Sequence, residues 1–225
     1  DELRVAWTTW KEHKPDIMEC QLMLVCDMQA GTSEQWGLRL DFVDHPNKSV
    51  VVFDGTGIRS QGGDQREVML TALVWAAAHV STRWFVKIDT DTVARDGGVW
   101  AEPEWFDQGL AFVSHRWGYT RPARFIRMLD DWSLDVPELC DMPKPLDDVP
   151  ADLDGRVSHK RIQSWFMLGT SQFARLAWLL VSRTDDCRMP CPSQDTYLWY
   201  LAKRIGWEYK AVNLKSRGWD HGRGA

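Results

Sequence analysis

Apolar residues fall along the chain in short runs that stop at polar or acidic residues. The clearest, Trp84 to Ile88, is rich in β-branched and aromatic side chains and predicts a buried strand that ends on Asp89-Thr90-Asp91. Leu22 to Cys26 is unbroken Leu-Met-Leu-Val-Cys, which predicts a parallel strand closed by Asp27. Ser49 to Phe53 predicts another, stopping at Asp54-Gly55-Thr56-Gly57, and Gly109 to Ser114 one more. Leu3 to Trp10 reads as an opening strand on its β-forming content. Met69, Leu73, Ala76 and Val80 recur at helical spacing and predict a helix over 65–80, with a short helix expected near Ser33 to Phe42. Ser164 to Leu168 reads as a late strand, followed by Gly169 and a helix from about Ser171, its expected N-cap, in which Phe173, Leu176, Ala177 and Leu180 keep helical period. Tyr197, Leu198, Leu201 and Ile205 form the apolar stripe of a last helix, capped by Ser193 and ended by Gly206. Leu134 to Val157 has four prolines, six aspartates and no sustained apolar period, and predicts a long irregular loop. Helices alternating with strands whose ends are polar predict an α/β fold with an open, mostly parallel sheet flanked by helices.

Composition narrows the function. A chain of 225 residues suits one domain burying about three-quarters of its unfolded surface. Its 27 basic and 32 acidic residues give a net charge of -5, which lacks the basic footprint of a nucleic-acid partner. No apolar run reaches the length of a membrane span, and the opening at Asp1 has no apolar leader, so neither a transmembrane segment nor a targeting signal is expected. Five scattered cysteines, an odd number, favour free thiols and a cytoplasmic setting. Cys187 and Cys191 are close enough to pair and Asn47-Lys48-Ser49 is a glycosylation sequon, which keeps a secretory lumen as the alternative. Fourteen tryptophans are many for this length; most are expected in the core, and exposed ones make platforms for sugar rings.

The chemistry concentrates after Trp84. Asp89 and Asp91 share a side of the chain and can hold a hard divalent cation, Mg2+ or Mn2+, which takes one or two carboxylates and fills its shell with water and substrate phosphates. A diphosphate is the substrate class this implies. Lys87 lies on the same strand face as Asp89 and can neutralise it, and Thr90 belongs to the same donor contact. Thr8 and Thr9, Asp27 and Asp54 form a row of polar strand ends of the kind that builds a nucleotide site. The loop from Gly55 to Asp64 holds four glycines and Arg59, and Arg66 follows, so amides and guanidinium groups can face phosphate. Trp100, Trp105, Phe106 and Trp117 mix with polar residues as in an acceptor cleft. Asp195 stands in the first turn of its helix, where the dipole favours the charged carboxylate.

The order Trp84, Phe85, Lys87, Asp89, Asp91, Thr92 resembles the metal-binding strand of GT-A glycosyltransferases, particularly the Fringe-like β-1,3-glycosyltransferases. Thr90 stands where that family usually has a third aspartate, which is closer to the general GT-A form. The resemblance implies a Rossmann-like GT-A domain over residues 1–225, with a donor half to about 95 and an acceptor half beyond it. It implies Mn2+ held by Asp91 and His221, with Asp89 on the metal or the ribose, and a nucleotide sugar, UDP-linked by preference. Asp27 falls where Fringe-like enzymes often carry an aspartate. Asp195 aligns with their catalytic base, Gln194 replacing the acid before it. Their glycine-rich strand that contacts donor and acceptor becomes Gln163, Ser164 and Trp165 here, so Trp165 is expected against an acceptor whose pocket differs from theirs. The acceptor would be a hydroxyl on a glycan, lipid-linked or protein-linked, and transfer would invert the anomeric configuration. Two alternatives are a sugar nucleotidyltransferase, which releases pyrophosphate, and a non-catalytic carbohydrate-binding protein that keeps a GT-A fold.

Overall fold

The computed structural model describes residues 2–27, 31–53, 72, 74–97, 101–106, 109–117, 121–142, 156–157, 161–184, 190–191 and 194–221. In chain order these form α1 (Glu2–His13), β1 (Leu22–Asp27), α2 (Ser33–Arg39), β2 (Lys48–Phe53), β3 (Trp84–Ile88), β4 (Thr92–Ala94), β5 (Leu110–Trp117), β6 (Arg121–Pro122), α3 (Ala123–Leu134), β7 (Arg156–Val157), β8 (Arg161–Thr170), α4 (Ser171–Ser182), α5 (Gln194–Arg204), β9 (Glu208–Val212) and β10 (Trp219–His221). The fold is mixed α/β. Residues 74–78 are helical, and the rest of the helix expected over 65–80 lies mainly outside the described residues.

A mixed sheet, not a mostly parallel ladder, organises the second half. Its order is β3-β8-β5-β9. β8 runs antiparallel to both β3 and β5, and β5 pairs parallel with β9. Strands β3, β5 and β9 therefore point one way and β8 alone is reversed. β1 and β2 pair in parallel as the apolar runs predict, in register Leu22 with Lys48 through Asp27 with Phe53. Among the described residues β3 ends the four-stranded order, and it is half-buried along its length, not the buried strand expected.

Alternation, interrupted in β5 by a register shift between Leu110 and Phe112, gives the sheet two apolar faces. Ala111, Phe112 and Met167 face a core built with Ile126, Phe173, Ala177, Leu198 and Leu201 from the helices. Leu110, Val113 and Leu168 face the other way, toward Trp7, Trp10, Trp105, Leu214 and Trp219. Trp165 and Phe166, although consecutive, both join this second core. Their departure from alternation has a cause in the register: from Ser114 to His115 β5 takes one step while β8 goes from Met167 to Gln163. Such irregularities re-aim side chains, and they favour the neighbourhood of functional sites.

The strand expected over Leu3 to Trp10 is a helix. Leu3, Ala6, Trp7 and Trp10 repeat at helical spacing, and Ala6, Trp7 and Trp10 are buried by α1 on the second core. Burial of that stripe overrides the β-forming tendency of Val5, Thr8 and Thr9. The N-cap of α4 is Thr170, whose hydroxyl accepts from Phe173 N at 3.4 Å; Ser171 is already inside the helix and donates to Arg83 O at 3.2 Å. Within the segment expected to be an irregular loop, Val136 and Leu139 are buried and Arg156–Val157 pairs with β6, while 143–155 lies outside the described residues.

A buried polar network joins α3 to α5. Tyr200 donates to Asp130 Oδ1 at 2.7 Å and lies 3.0 Å from Ser133 Oγ, and Arg204 reaches Ser133 and the carbonyls of Leu139 and Met142. Tyr200→Phe takes a donor from a carboxylate that is 6 % exposed, and the expected cost is about 1–3 kcal/mol, read by chemical denaturation. Burial raises the phenols of Tyr200 and Tyr197 well above the usual range. In the unfolded chain they ionise near about 10. Stability is thus full below about pH 9 and falls as pH rises beyond the unfolded value, where unfolding releases the protons. Melting temperatures from pH 8 to 11 check this; Tyr200→Phe should flatten part of the alkaline decline.

Candidate metal centre

The Asp89-Thr90-Asp91 turn links β3 to β4. Asp89 N donates to Trp165 O at 2.8 Å, extending the β3–β8 ladder by one bond, and Thr92 N then donates back to Asp89 O at 3.0 Å. That closure turns both carboxylates to one side. β10 pairs antiparallel with β4 and sets His221 opposite Thr92. His221 Nδ1 consequently lies 3.1 Å from Asp91 Oδ1 and 3.4 Å from Thr92 Oγ1. One ligand atom from each of Asp89, Asp91 and His221 falls within 4.8 Å of the others, the cluster of this kind found among the described residues.

The donor set fits a divalent cation. Two carboxylates suit Mg2+ and Mn2+, and an imidazole favours the softer of the two, Mn2+. The side chains of Asp89, Asp91 and His221 are 37 %, 35 % and 29 % exposed, which leaves an open side where water or phosphate oxygens can complete a shell. Asp89 is also in an ion pair with Lys87, whose side chain is 9 % exposed on the same strand face. Asp91 and His221 are therefore the better placed candidate ligands, since Asp89 is already paired with the lysine.

The surroundings fix this hairpin from several sides. Trp10 Nε1 donates to Thr92 O at 2.7 Å, and Ala94 N donates to Thr9 Oγ1 at 3.1 Å, so α1 braces β4. Lys14, 2 % exposed, donates to Arg217 O at 3.3 Å just before β10, and burial lowers its pKa against the opposing pull of Asp96 and Asp16. Gly218 turns the chain into β10 at a φ of 75°, a left-handed conformation, with the Asp96 carboxylate filling the place a Cβ would need. Asp220 is held by Arg95 at 2.5 Å, Lys215 at 3.2 Å and the His221 N–H at 3.0 Å. Burial would raise its carboxyl, but the Lys215 and His221 hydrogen bonds and the two cations bring it below the usual range. His115 is 5 % exposed and accepts from Leu214 N at 3.2 Å; burial, then the charge of Lys215, lowers its pKa.

The other expected site residues divide. Thr8 and Thr9 lose the strand-end position on which their nucleotide role rested, because α1 is a helix: Thr8 is exposed and bonds Arg4 O at 3.0 Å, and Thr9 donates to Ala6 O at 2.8 Å. Trp165, expected against an acceptor, is 3 % exposed, and its ring lies on His115 and His221, so it offers no platform to a sugar. Thr90 is exposed in the turn. Asp27 closes β1, and Trp117 closes β5; their side chains lie outside the described residues, as do Asp54, Arg59, Arg66, Cys187 and Ser193 altogether. Asp195 is half-buried in the first turn of α5, the helix that packs on β8. Trp10 is a support residue the sequence did not single out, and Thr9 and Thr92, singled out for other roles, brace the hairpin instead; the helical spacing of Trp7 and Trp10 was the available signal for α1.

Neither a protein-family model nor a curated protein matches the chain. No helix among the described residues is long and apolar enough to cross a membrane.

Proposed function

We propose that this chain is a metal-dependent glycosyltransferase of the GT-A type, moving a sugar from a nucleotide donor, UDP-linked by preference, to a hydroxyl acceptor. The observation that supports it most is the convergence of Asp89 and Asp91 with His221 across the β4–β10 ladder, which brings three side chains of ligand types suited to a divalent cation together. A sheet in which β3, β5 and β9 share a direction, with the carboxylates just past β3, also suits donor binding at strand ends.

Asp91 and His221 would hold Mn2+, with Asp89 beside it. When bound, the ion supplies Lewis-acid stabilisation of the charge that develops on the departing diphosphate. Lys87 keeps a further positive charge next to Asp89. Asp195 accepts the proton of the acceptor hydroxyl as that oxygen bonds to the anomeric carbon and the bond to the diphosphate oxygen breaks. One displacement inverts the anomeric configuration.

Thermal shift with UDP-sugars and GDP-sugars, with and without Mn2+, tests the donor site. Ligand at 100 times its Kd adds about 2.7 kcal/mol, which in a domain of this size raises the melting temperature by roughly 5–10 °C. Stabilisation by a UDP-sugar only when Mn2+ is present is expected. No shift with any nucleotide would transfer the weight to a carbohydrate-binding protein.

A further inference from the structure

Trp165 bears on both ends of the candidate metal centre. Its carbonyl takes the Asp89 N–H at 2.8 Å. Its indole lies under the His221 ring with centroids 5.3 Å apart and planes 3° from parallel. The indole cannot easily yield, for it is 3 % exposed and also meets His115 at 5.0 Å and Phe166 at 6.4 Å. It owes this position to the irregular step of β8 opposite Ser114 and His115, which places it in the core beneath β10.

We propose that Trp165 is the positioning residue of the metal centre, its carbonyl holding the aspartate turn and its indole face holding the plane of the His221 imidazole. An imidazole must lose rotamer freedom when it ligates a cation, and a parallel stack on an immobile ring removes that freedom beforehand. His221 needs such support more than the carboxylates do. It sits in a three-residue strand, Trp219–His221, and its side chain is 29 % exposed. Trp165 thus acts through His221 and does not touch substrate. The inference rests on the metal reading given above.

The test uses Mn2+ alone, with the free ion counted by electron paramagnetic resonance, and needs no donor or acceptor. Trp165→Ala keeps the main-chain bond to Asp89 but removes the stack, and Mn2+ affinity should fall about 10- to 100-fold, as for loss of an outer partner of a ligand. Trp165→Phe, which restores a flat ring, should recover most of that loss. In the metal-free wild type, nuclear Overhauser contacts should join the His221 ring protons, identified by their loss in His221→Asn, to the Trp165 indole protons, as parallel rings with centroids 5.3 Å apart require. Those contacts decide the matter even should Trp165→Ala fail to fold: their absence would overturn the stack. Equal Mn2+ affinity in wild type and a folded Trp165→Ala overturns the positioning role alone. A wild type that takes up no Mn2+ overturns the metal reading and this inference together.

Discussion

Asp91→Ala is expected to abolish Mn2+-dependent nucleotide binding while leaving the fold intact. Asp91 is the carboxylate that faces His221, 3.1 Å away, whereas Asp89 is already engaged by Lys87. Removing it leaves one imidazole and one lysine-neutralised carboxylate, too few donors to hold a hard cation against water. Mn2+ affinity should drop by more than the roughly 100-fold that accompanies loss of an outer partner. The cost to stability is small by comparison. The Asp91 side chain is 35 % exposed, and an ion pair in such a position is worth about 0–1 kcal/mol. A melting temperature near that of wild type, combined with loss of the Mn2+-dependent shift, is the expected pair of results. An undiminished shift would place the cation elsewhere.

Asp195→Asn should leave donor binding nearly unchanged and lower transfer by about 100- to 10,000-fold, the usual contribution of a positioned base. The asparagine keeps the size and hydrogen-bonding reach of the side chain but cannot take up the proton of the acceptor. Asp195 stands in the first turn of α5, where the helix dipole favours an acidic side chain. The separation of binding from turnover distinguishes this loss from a general collapse of the site. Near-normal turnover in Asp195→Asn removes the residue from the base role, and so does a product that retains the donor's anomeric configuration.

The strands of the first half were legible because each is a continuous apolar run with a polar end. Leu22 to Cys26, Ser49 to Phe53 and Trp84 to Ile88 appear within a residue of their expected limits, and β1 and β2 pair in parallel. The stripe of Tyr197, Leu198 and Leu201 likewise marks α5, although Trp199, Tyr200 and Ala202 are buried as well, so that helix is enclosed and not merely one-sided. Propensity failed at α1, where Thr8, Thr9 and the tryptophans suggested a strand. The decisive signal there is periodicity, since burying Ala6, Trp7 and Trp10 together against β4 requires a helix.

Local sequence determined which residues can do chemistry: two carboxylates past an apolar strand, an acid in a first helical turn and a histidine near the end of the chain. Tertiary structure alone decided which of them meet. The reversal of β8 between β3 and β5, the irregular step that buries Trp165, and the pairing of β10 with β4 are contacts between segments far apart in the chain. Residue type and spacing carry no record of such pairings. They are selected by the burial of both faces of the sheet at once, which brings His221 onto Trp165 and against Asp91.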